Sequence, residues 1–261
     1  IFIIKIYFKN RILIFMQTTE RINYIKNWIL DYCKLMPKEA ETLVVGISGG
    51  IDSSVTSVIC ALTGKKTIVL SMPINQIKEQ QDLSLKHLDW LKGKFKNVES
   101  HLIVLDNLFK SFNTSLSKFN NEHGLANSKA RLRMATLYQV AASNNGIVVG
   151  TGNKVEDFGV GFYTKYGDGG VDISPIADCT KSQVWEMGKN LGVLNEIVEA
   201  QPTDGLWDDG RTDLNQLGMT YKELEEAMND SLHKNHKKYL EIRKRNLHKM
   251  NSIPVCKMKD E

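Results

Sequence analysis

Residues 43–54 read Leu-Val-Val-Gly-Ile-Ser-Gly-Gly-Ile-Asp-Ser-Ser, an apolar run of β type that breaks into a serine, two glycines and an aspartate. Val55, Val58, Ile59 and Leu62 follow at helical spacing and Gly64 closes the pattern, so the segment predicts a strand, a tight loop and a helix. Ser48, Gly49 and Gly50 let the backbone turn sharply and aim several N–H groups at one anion, while the helix presents its positive end to it. A glycine-rich turn that binds nothing is the alternative, and the flanking strand and helix weigh against it. The lysine of a Walker A loop, G-x-x-x-x-G-K-[ST], is missing. Asp52 offers a carboxylate instead, which suits a magnesium ion bridging phosphate oxygens. The loop points to chemistry that releases pyrophosphate.

The 261 residues, 42% hydrophobic and 25% charged, suffice for one large α/β domain with a substantial core. Thirty-four basic against 30 acidic residues give a formal net charge of +4, a mild excess that does not imply nucleic acid. Cys33, Cys60, Cys179 and Cys256 form no C-x-x-C pair, which argues against a zinc ribbon or a disulfide framework and for reduced cysteines in a cytoplasmic protein. Ile1 to Phe15 are apolar but carry Lys5, Lys9 and Arg11 and no small-residue cleavage site, fitting neither a signal peptide nor a membrane span. Met16 precedes a plausible helix start at Gln17-Thr18-Thr19-Glu20. The expectation is that residues 1–15 are not part of the native mature chain and that residues 16–261 form the domain.

Ile22, Ile25, Ile29 and Tyr32 mark a helix that ends before Pro37. The pattern then alternates: strands near 43–47, 67–72, 101–106 and 147–150, with helices near 80–91 and across 107–145. Alternation of this kind implies α/β architecture, a Rossmann-like parallel sheet in a single domain with helices on both faces. Ligands in such sheets sit at the carboxyl ends of strands, where the segments after Ile47 and Val149 both begin. The 107–145 segment carries Leu108, Phe109, Phe112, Leu116, Phe119, Leu132 and Val140, more apolar surface than one helical layer needs, and a symmetric dimer interface is expected there. The Gly-rich run 151–175 reads as a long functional loop. Thr180 with Gln183 and Thr220 with Glu223 read as capping boxes that open helices.

S-G-G-x-D-S resembles the signature of the N-type ATP pyrophosphatases. Gly46 to Ser53 combined with Lys129-Ala130-Arg131, Gly150-Thr151 with Glu156 five residues on, Thr164 to Gly170 (Thr-Lys-Tyr-Gly-Asp-Gly-Gly) and Pro202-Thr203 resembles the ammonia-dependent NAD synthetases over nearly everything after Met16. The resemblance implies a cytoplasmic ligase that couples ATP cleavage to amidation of nicotinic acid adenine dinucleotide (deamido-NAD) by ammonia, giving NAD, AMP and pyrophosphate through an acyl-adenylate, the last step of NAD biosynthesis. It also implies a homodimer with sites at the subunit interface, small-molecule partners, and neither nucleic acid nor membrane.

Carried over residue by residue, the resemblance implies that Gly46, Ile47, Ser48, Gly49, Gly50, Ile51, Asp52 and Ser53 contact the ATP phosphates and that Thr151, Lys181 and Thr203 also bind ATP. Asp52 and Glu156 become ligands of Mg2+, which prefers hard oxygen donors. Asp52, Glu156 and Lys181 are the implied catalytic set. Lys181 in a first helical turn is mildly disfavoured by the helix dipole unless it serves a site. Arg131, Lys165, Asp168, Asp172, His248 and Lys249 match positions that hold the dinucleotide, and Asp168 or Asp172 is placed to take a proton from ammonium. Many relatives carry a base near the end of the second strand where this chain has Ser71, and Lys78 is the expected substitute. No nucleophilic side chain is needed for such a reaction, only positioning and electrostatics. His233 and His236, at i and i+3 among lysines, read as part of a solvated helix face rather than a metal pair.

Two rival classes remain on the residues alone. A tRNA-modifying enzyme with the same loop would bring paired cysteines or an RNA-binding appendage. A non-catalytic nucleotide sensor would need the loop but not Glu156, Lys181 and Thr203 in register. A glutamine-dependent synthetase would add an amidase domain with a nucleophilic cysteine, for which these residues leave no room, so free ammonia is the expected nitrogen source.

Overall fold

The computed structural model describes residues 5–8, 11–14, 16–207 and 209–258. Ile1 to Phe15, set apart from the domain in the sequence, falls partly outside these. Its described parts pair as an antiparallel hairpin, β1 (Lys5–Phe8) with β2 (Arg11–Ile14), separate from the main sheet.

The main sheet is parallel and four-stranded: β3 (Thr42–Gly46), β4 (Lys66–Ser71), β5 (Val98–Leu102) and β6 (Gly146–Val148), in the order β5-β4-β3-β6. Helices cover both faces: α1 (Thr18–Leu35), α2 (Ile51–Leu62), α3 (Lys78–Lys94) and α6 (Lys181–Leu191) supply one core, and α4 (Asp106–Ser115) and α5 (Glu122–Ser143) the other. Side chains alternate along a strand, so Leu43, Val45 and Ile47 enter the first core while Val44 enters the second. This is why β3 reads as an unbroken apolar run. Val44 pairs with Ile68 and Val148 in register, which places β3 centrally.

Because the chain winds outward from β3 to β4 to β5 and then returns to lay β6 on the other side, the strand order reverses between β3 and β6. A crevice opens at that point, outside the carboxyl ends of the strands. A third apolar cluster joins a π-helical turn at Val155–Val160 to α8 (Asp213–Leu217), α9 (Tyr221–Asn229) and α10 (His236–Met250) through Val155, Leu217, Leu224, Tyr239 and Ile242. A short α7 (Asn195–Val198) completes the element order.

Two expectations shift. The third strand of the sheet lies at Val98–Leu102 rather than 101–106. It is an edge strand whose outward positions are the polar Glu99 and His101, so apolar content marks the residues after it better than the strand itself. The run 151–175 is not loop throughout, since Val155–Val160 forms the π turn and puts Glu156 on helical backbone. Both capping boxes are present, at Thr180/Gln183 and Thr220/Glu223. Among the described residues no helix is long and apolar enough to cross a membrane.

His87, on α3, is fully buried against α2. Its Nε2 lies 3.0 Å from Ser57 Oγ, and Ser57 spends its single hydroxyl hydrogen on Ser54 O at 2.9 Å. Nε2 must therefore carry the ring hydrogen, leaving Nδ1 as a bare lone pair with no partner among the described residues. Burial holds the imidazole neutral, with a pKa lowered from 6.5 to about 4. A lowered pKa contributes stability above the unfolded value and loses it as pH falls. We expect unfolding free energy to drop between pH 6.5 and 4 by an extra ~1.4 kcal/mol per unit for this one group. Denaturant titrations of His87→Gln should show that increment removed, and an unchanged slope would contradict it.

Candidate active site

The crevice is a cavity of about 290 Å3. All of Gly46 to Ser53 line it, together with Thr151, Glu156, Asp168, Lys181 and Thr203. The loop after β3 is held by its own side chains: Ser48 N donates to Ser53 Oγ (3.3 Å), Gly50 N donates to Ser48 Oγ (3.2 Å), and Ser54 Oγ donates to Gly50 O (2.9 Å). Gly49 sits at φ +90° with its Cα facing the backbone of α3, and a Cβ there would lie 2.7 Å from Gln80 O. The first N–H groups of α2 have no intrahelical partner and border the cavity.

Asp52, in the first turn of α2, and Glu156, on the π turn, converge on Lys181 at the start of α6. Lys181 Nζ donates to Asp52 Oδ2 at 2.5 Å and to Glu156 Oε1 at 3.0 Å, and the lysine side chain is 3% exposed. Asn153, fully buried, ties the pieces together: its Nδ2 donates to Asp52 Oδ1, and its Oδ1 accepts from Val155 N and Glu156 N. Tyr221 Oη reaches both Glu156 Oε1 and Asp213 Oδ2. Burial works against the Lys181 charge, but Asp52 and Glu156 outweigh it and hold the ammonium above the ordinary lysine range. Burial pushes Asp52 up despite Lys181. Glu156, equally desolvated, is held below the usual carboxylate range by Lys181 and the Tyr221 hydroxyl.

The remaining sequence-selected residues fall in two places. Asp168 lines the cavity on its solvent-exposed side and accepts from Thr164 N at 2.9 Å; desolvation by the crowding wall around it, rather than full burial, raises it to about 6. Arg131, Lys165, His248 and Lys249 lie outside the cavity in a linked surface group: Arg131 Nε donates to Lys165 O, Lys165 Nζ to His248 O, and Lys249 Nζ to Tyr163 O. Asp172 is also outside, its carboxylate accepting from Val148 N (2.7 Å) and Tyr138 Oη (3.1 Å), so it clamps the edge of β6. Lys78, the expected substitute for a base at Ser71, is exposed and does not line the cavity. Ser71 Oγ instead accepts from Ser84 Oγ.

The base at that end of the cavity is Arg133, whose Nε donates to Met72 O (2.9 Å) and NH2 group to Gln76 Oε1 (3.0 Å). Its signal was present two residues past Arg131, since about 200° of helical rotation turns the second arginine to the opposite side. Asn153, Asp213 and Tyr221 had no local signal. His233 and His236 turn to different partners, Glu226 and Ala227 O. Among the described residues no group of three or more His, Cys, Asp or Glu could hold a metal by itself.

The cavity lining is rich in carboxyl groups, Asp52, Glu156, Asp157, Asp168, Asp204 and Asp213 against two bases, Lys181 and Arg133, and it stays net acidic with Asp157 and Asp213 held neutral by burial. A polyphosphate entering it requires a cation to come along.

The profile of the NAD synthase family matches residues 21–261. The NH(3)-dependent NAD(+) synthetase of Carboxydothermus hydrogenoformans is 35% identical over 79% of this chain and 83% of its own length, and that of Methanosarcina acetivorans 38% identical over 78% and 80%. Among solved structures, an NMN synthetase from Francisella tularensis is similar with a TM-score of 0.86 and 32% identity, covering 94% of this chain and all of that one. An NH3-dependent NAD synthetase from Campylobacter jejuni shares the fold, with a TM-score of 0.73, 24% identity, and coverage of 93% of this chain and all of that one. A phosphate loop without the Walker lysine, the Asp52–Lys181–Glu156 cluster beside it and a match over nearly the whole chain lead to one conclusion: the chain belongs to the NAD synthase family.

Proposed function

We propose that this chain amidates the nicotinate carboxylate of deamido-NAD with ammonia, in an ATP-dependent reaction through an acyl-adenylate that yields NAD, AMP and pyrophosphate as the last step of NAD biosynthesis. The observation that carries this reading is the buried Asp52–Lys181–Glu156 cluster at the lip of the Gly46 to Ser53 loop. In the first step the nicotinate carboxylate attacks the α-phosphorus, and the bond to the β-phosphate breaks. Loop amides and the α2 N-terminus hold the phosphate oxygens, Thr151 and Thr203 border the nucleotide, and Lys181 neutralises charge that grows on the departing pyrophosphate. In the second step ammonia attacks the acyl carbon and AMP leaves.

Asp52 and Glu156 are hard oxygen donors, and with an acidic lining they fit magnesium, which uses one or two carboxylates and takes its other ligands from phosphate and water. Magnesium bound there would offset phosphate charge in the leaving group. Of the two candidate proton acceptors, Asp168 faces the cavity while Asp172 is committed to β6. Asp168 must be ionised to accept a proton, so turnover should fall as pH drops through about 6. Asp168→Asn is expected to lose about 10²-fold or more in kcat together with that acid limb. A variant that retains the limb would reassign the base.

The second substrate's residues Arg131, Lys165, His248 and Lys249 lie on the surface beyond the cavity, as they would if a second copy completes the site. Exposed Leu108, Leu116 and Phe119, and on α1 the row Tyr24, Trp28, Tyr32 and Leu35, supply apolar surface for that homodimer. Of the apolar residues expected at the interface, Phe109, Leu132 and Val140 pack into the second core instead. The enzyme operates in the cytoplasm, where its unpaired cysteines stay reduced.

A second reading is favoured by the similarity to an NMN synthetase at a TM-score of 0.86: the acceptor is the mononucleotide, nicotinic acid mononucleotide, and the adenylate half of the dinucleotide is dispensable. Purified protein with ATP, magnesium and ammonium should be given each acceptor in turn, with amide product and pyrophosphate followed together. Equal appearance of NAD and pyrophosphate, dependent on deamido-NAD, is the expected result. A higher kcat/KM for the mononucleotide moves the assignment to the second reading, and pyrophosphate without amide refutes both. Sedimentation of the same sample should give twice the chain mass.

A further inference from the structure

Tyr221 opens α9 with its ring against Trp185 edge to face, 4.6 Å from Lys181 Nζ. Its oxygen contacts two carboxylates at once, Glu156 Oε1 and, at 2.6 Å, Asp213 Oδ2. A phenol carries one hydrogen and can give it to only one of them, so the other contact needs a hydrogen supplied by the carboxyl itself. Glu156 Oε1 already accepts from Lys181 Nζ and behaves as the ionised group. Asp213 is 4% exposed, and its Oδ1 has no hydrogen-bond partner among the described residues. Burial, reinforced by Glu156, raises it to about 7. The bonds therefore run one way, from Asp213 to Tyr221 and from Tyr221 to Glu156.

We propose that Tyr221 and Asp213 are positioning residues that fix the Glu156 carboxylate for the phosphate-bound cation, with Asp213 acting as a neutral hydrogen-bond donor to the phenol oxygen. The proposal rests on Glu156 being a cation ligand, as read above. It also links two parts of the site that are far apart in the chain. Asp213 lines the cavity together with residues 201–206, and its N–H donates to Pro202 O at 3.0 Å. Thr203, which also lines the cavity, donates its Oγ1 hydrogen to Arg211 O and accepts from Gln80 Nε2 of α3. A carboxylate held in this way does not have to reorient when the cation arrives with its phosphates.

The test reads cation binding directly and needs no turnover: Mn2+ is titrated into protein saturated with a non-hydrolysable ATP analogue, and free Mn2+ is followed by electron paramagnetic resonance. Tyr221→Phe removes the hydroxyl and keeps the ring against Trp185 and Lys181. It should weaken Mn2+ binding by about 10–100-fold. Asp213→Ala should weaken it by about 10-fold, and Asp213→Asn, whose amide can still donate to Tyr221 Oη, should recover most of that loss. Thermal midpoints of all variants are recorded, so that an unfolded Asp213→Ala leaves the comparison resting on Tyr221→Phe and Asp213→Asn against wild type. Mn2+ affinity of folded Tyr221→Phe within twofold of wild type would overturn the proposal. Asp213→Asn as weak as Tyr221→Phe would overturn the donor assignment. Glu156→Gln serves as the reference. If it weakens Mn2+ binding and Tyr221→Phe does not, only the positioning pair fails. If Glu156→Gln leaves binding unchanged, the cation reading of Glu156 fails and the proposal falls with it.

Discussion

Lys181→Met should remove about 10³-fold of turnover, the upper end of what deleting one preorganised charge donor costs, while leaving a protein that still folds at low temperature. The size of the effect follows from burial. Lys181 is 3% exposed and stands between two carboxylates at 2.5 and 3.0 Å, so truncation strips the developing pyrophosphate charge of its protein cation. It also leaves Asp52 and Glu156 facing each other without compensation, a loss of about 3–5 kcal/mol for a buried pair deprived of one partner. A second readout separates this account from simple misfolding. Magnesium with ATP should raise the thermal midpoint of Lys181→Met more than that of the wild type, because the variant has two buried carboxylates in need of a cation. Turnover within tenfold of wild type, or a variant that magnesium does not rescue, would contradict the electrostatic role. Arginine is not expected to substitute, since its planar fork cannot occupy the point-charge position between two carboxylates.

The second large effect is expected at Gly49→Ala. The residue is held at φ +90°, a region that costs an L side chain about 1–2 kcal/mol. The added Cβ would also meet Gln80 O at 2.7 Å and Ser84 N at 3.0 Å. Both obstacles are α3 backbone, so relief requires the loop and the helix to separate, which moves the amides that hold the phosphates. ATP affinity should fall by about 100-fold or more, a loss of about 2.7 kcal/mol, measurable by calorimetry. Gly50→Ala is the informative companion. Gly50 has φ −88°, and its added Cβ meets only Ser48 Oγ at 3.3 Å, a side chain able to turn aside. Equal losses in the two variants would mean that glycine content rather than the Gly49 conformation sets affinity.

The local grammar of this chain was legible because each signal is made of neighbours. The apolar run into Ser48-Gly49-Gly50, the capping boxes at Thr180 and Thr220 and the alternation of strand and helix all depend on hydrogen bonds or side-chain periods within a few residues. The cavity residues Asp52, Thr151 and Glu156 follow the carboxyl ends of β3 and β6, which the parallel sheet brings together, whereas Asp168, Lys181 and Thr203 came from the family resemblance.

What tertiary structure alone decided is which distant side chains face one another. Asp172, selected as a substrate ligand, is turned to Val148 N because the chain crosses β6 there. The cation beyond Ser71 arrives as Arg133, 62 positions further along, while Lys78, seven positions on, stays in solvent. Tyr221 meets Glu156 across 65 positions because the cluster of Val155, Leu217 and Leu224 packs α9 on the π turn. Sequence periodicity specifies the face a residue occupies, but the partner of that face is set by how apolar layers close over one another, and no local pattern records that choice.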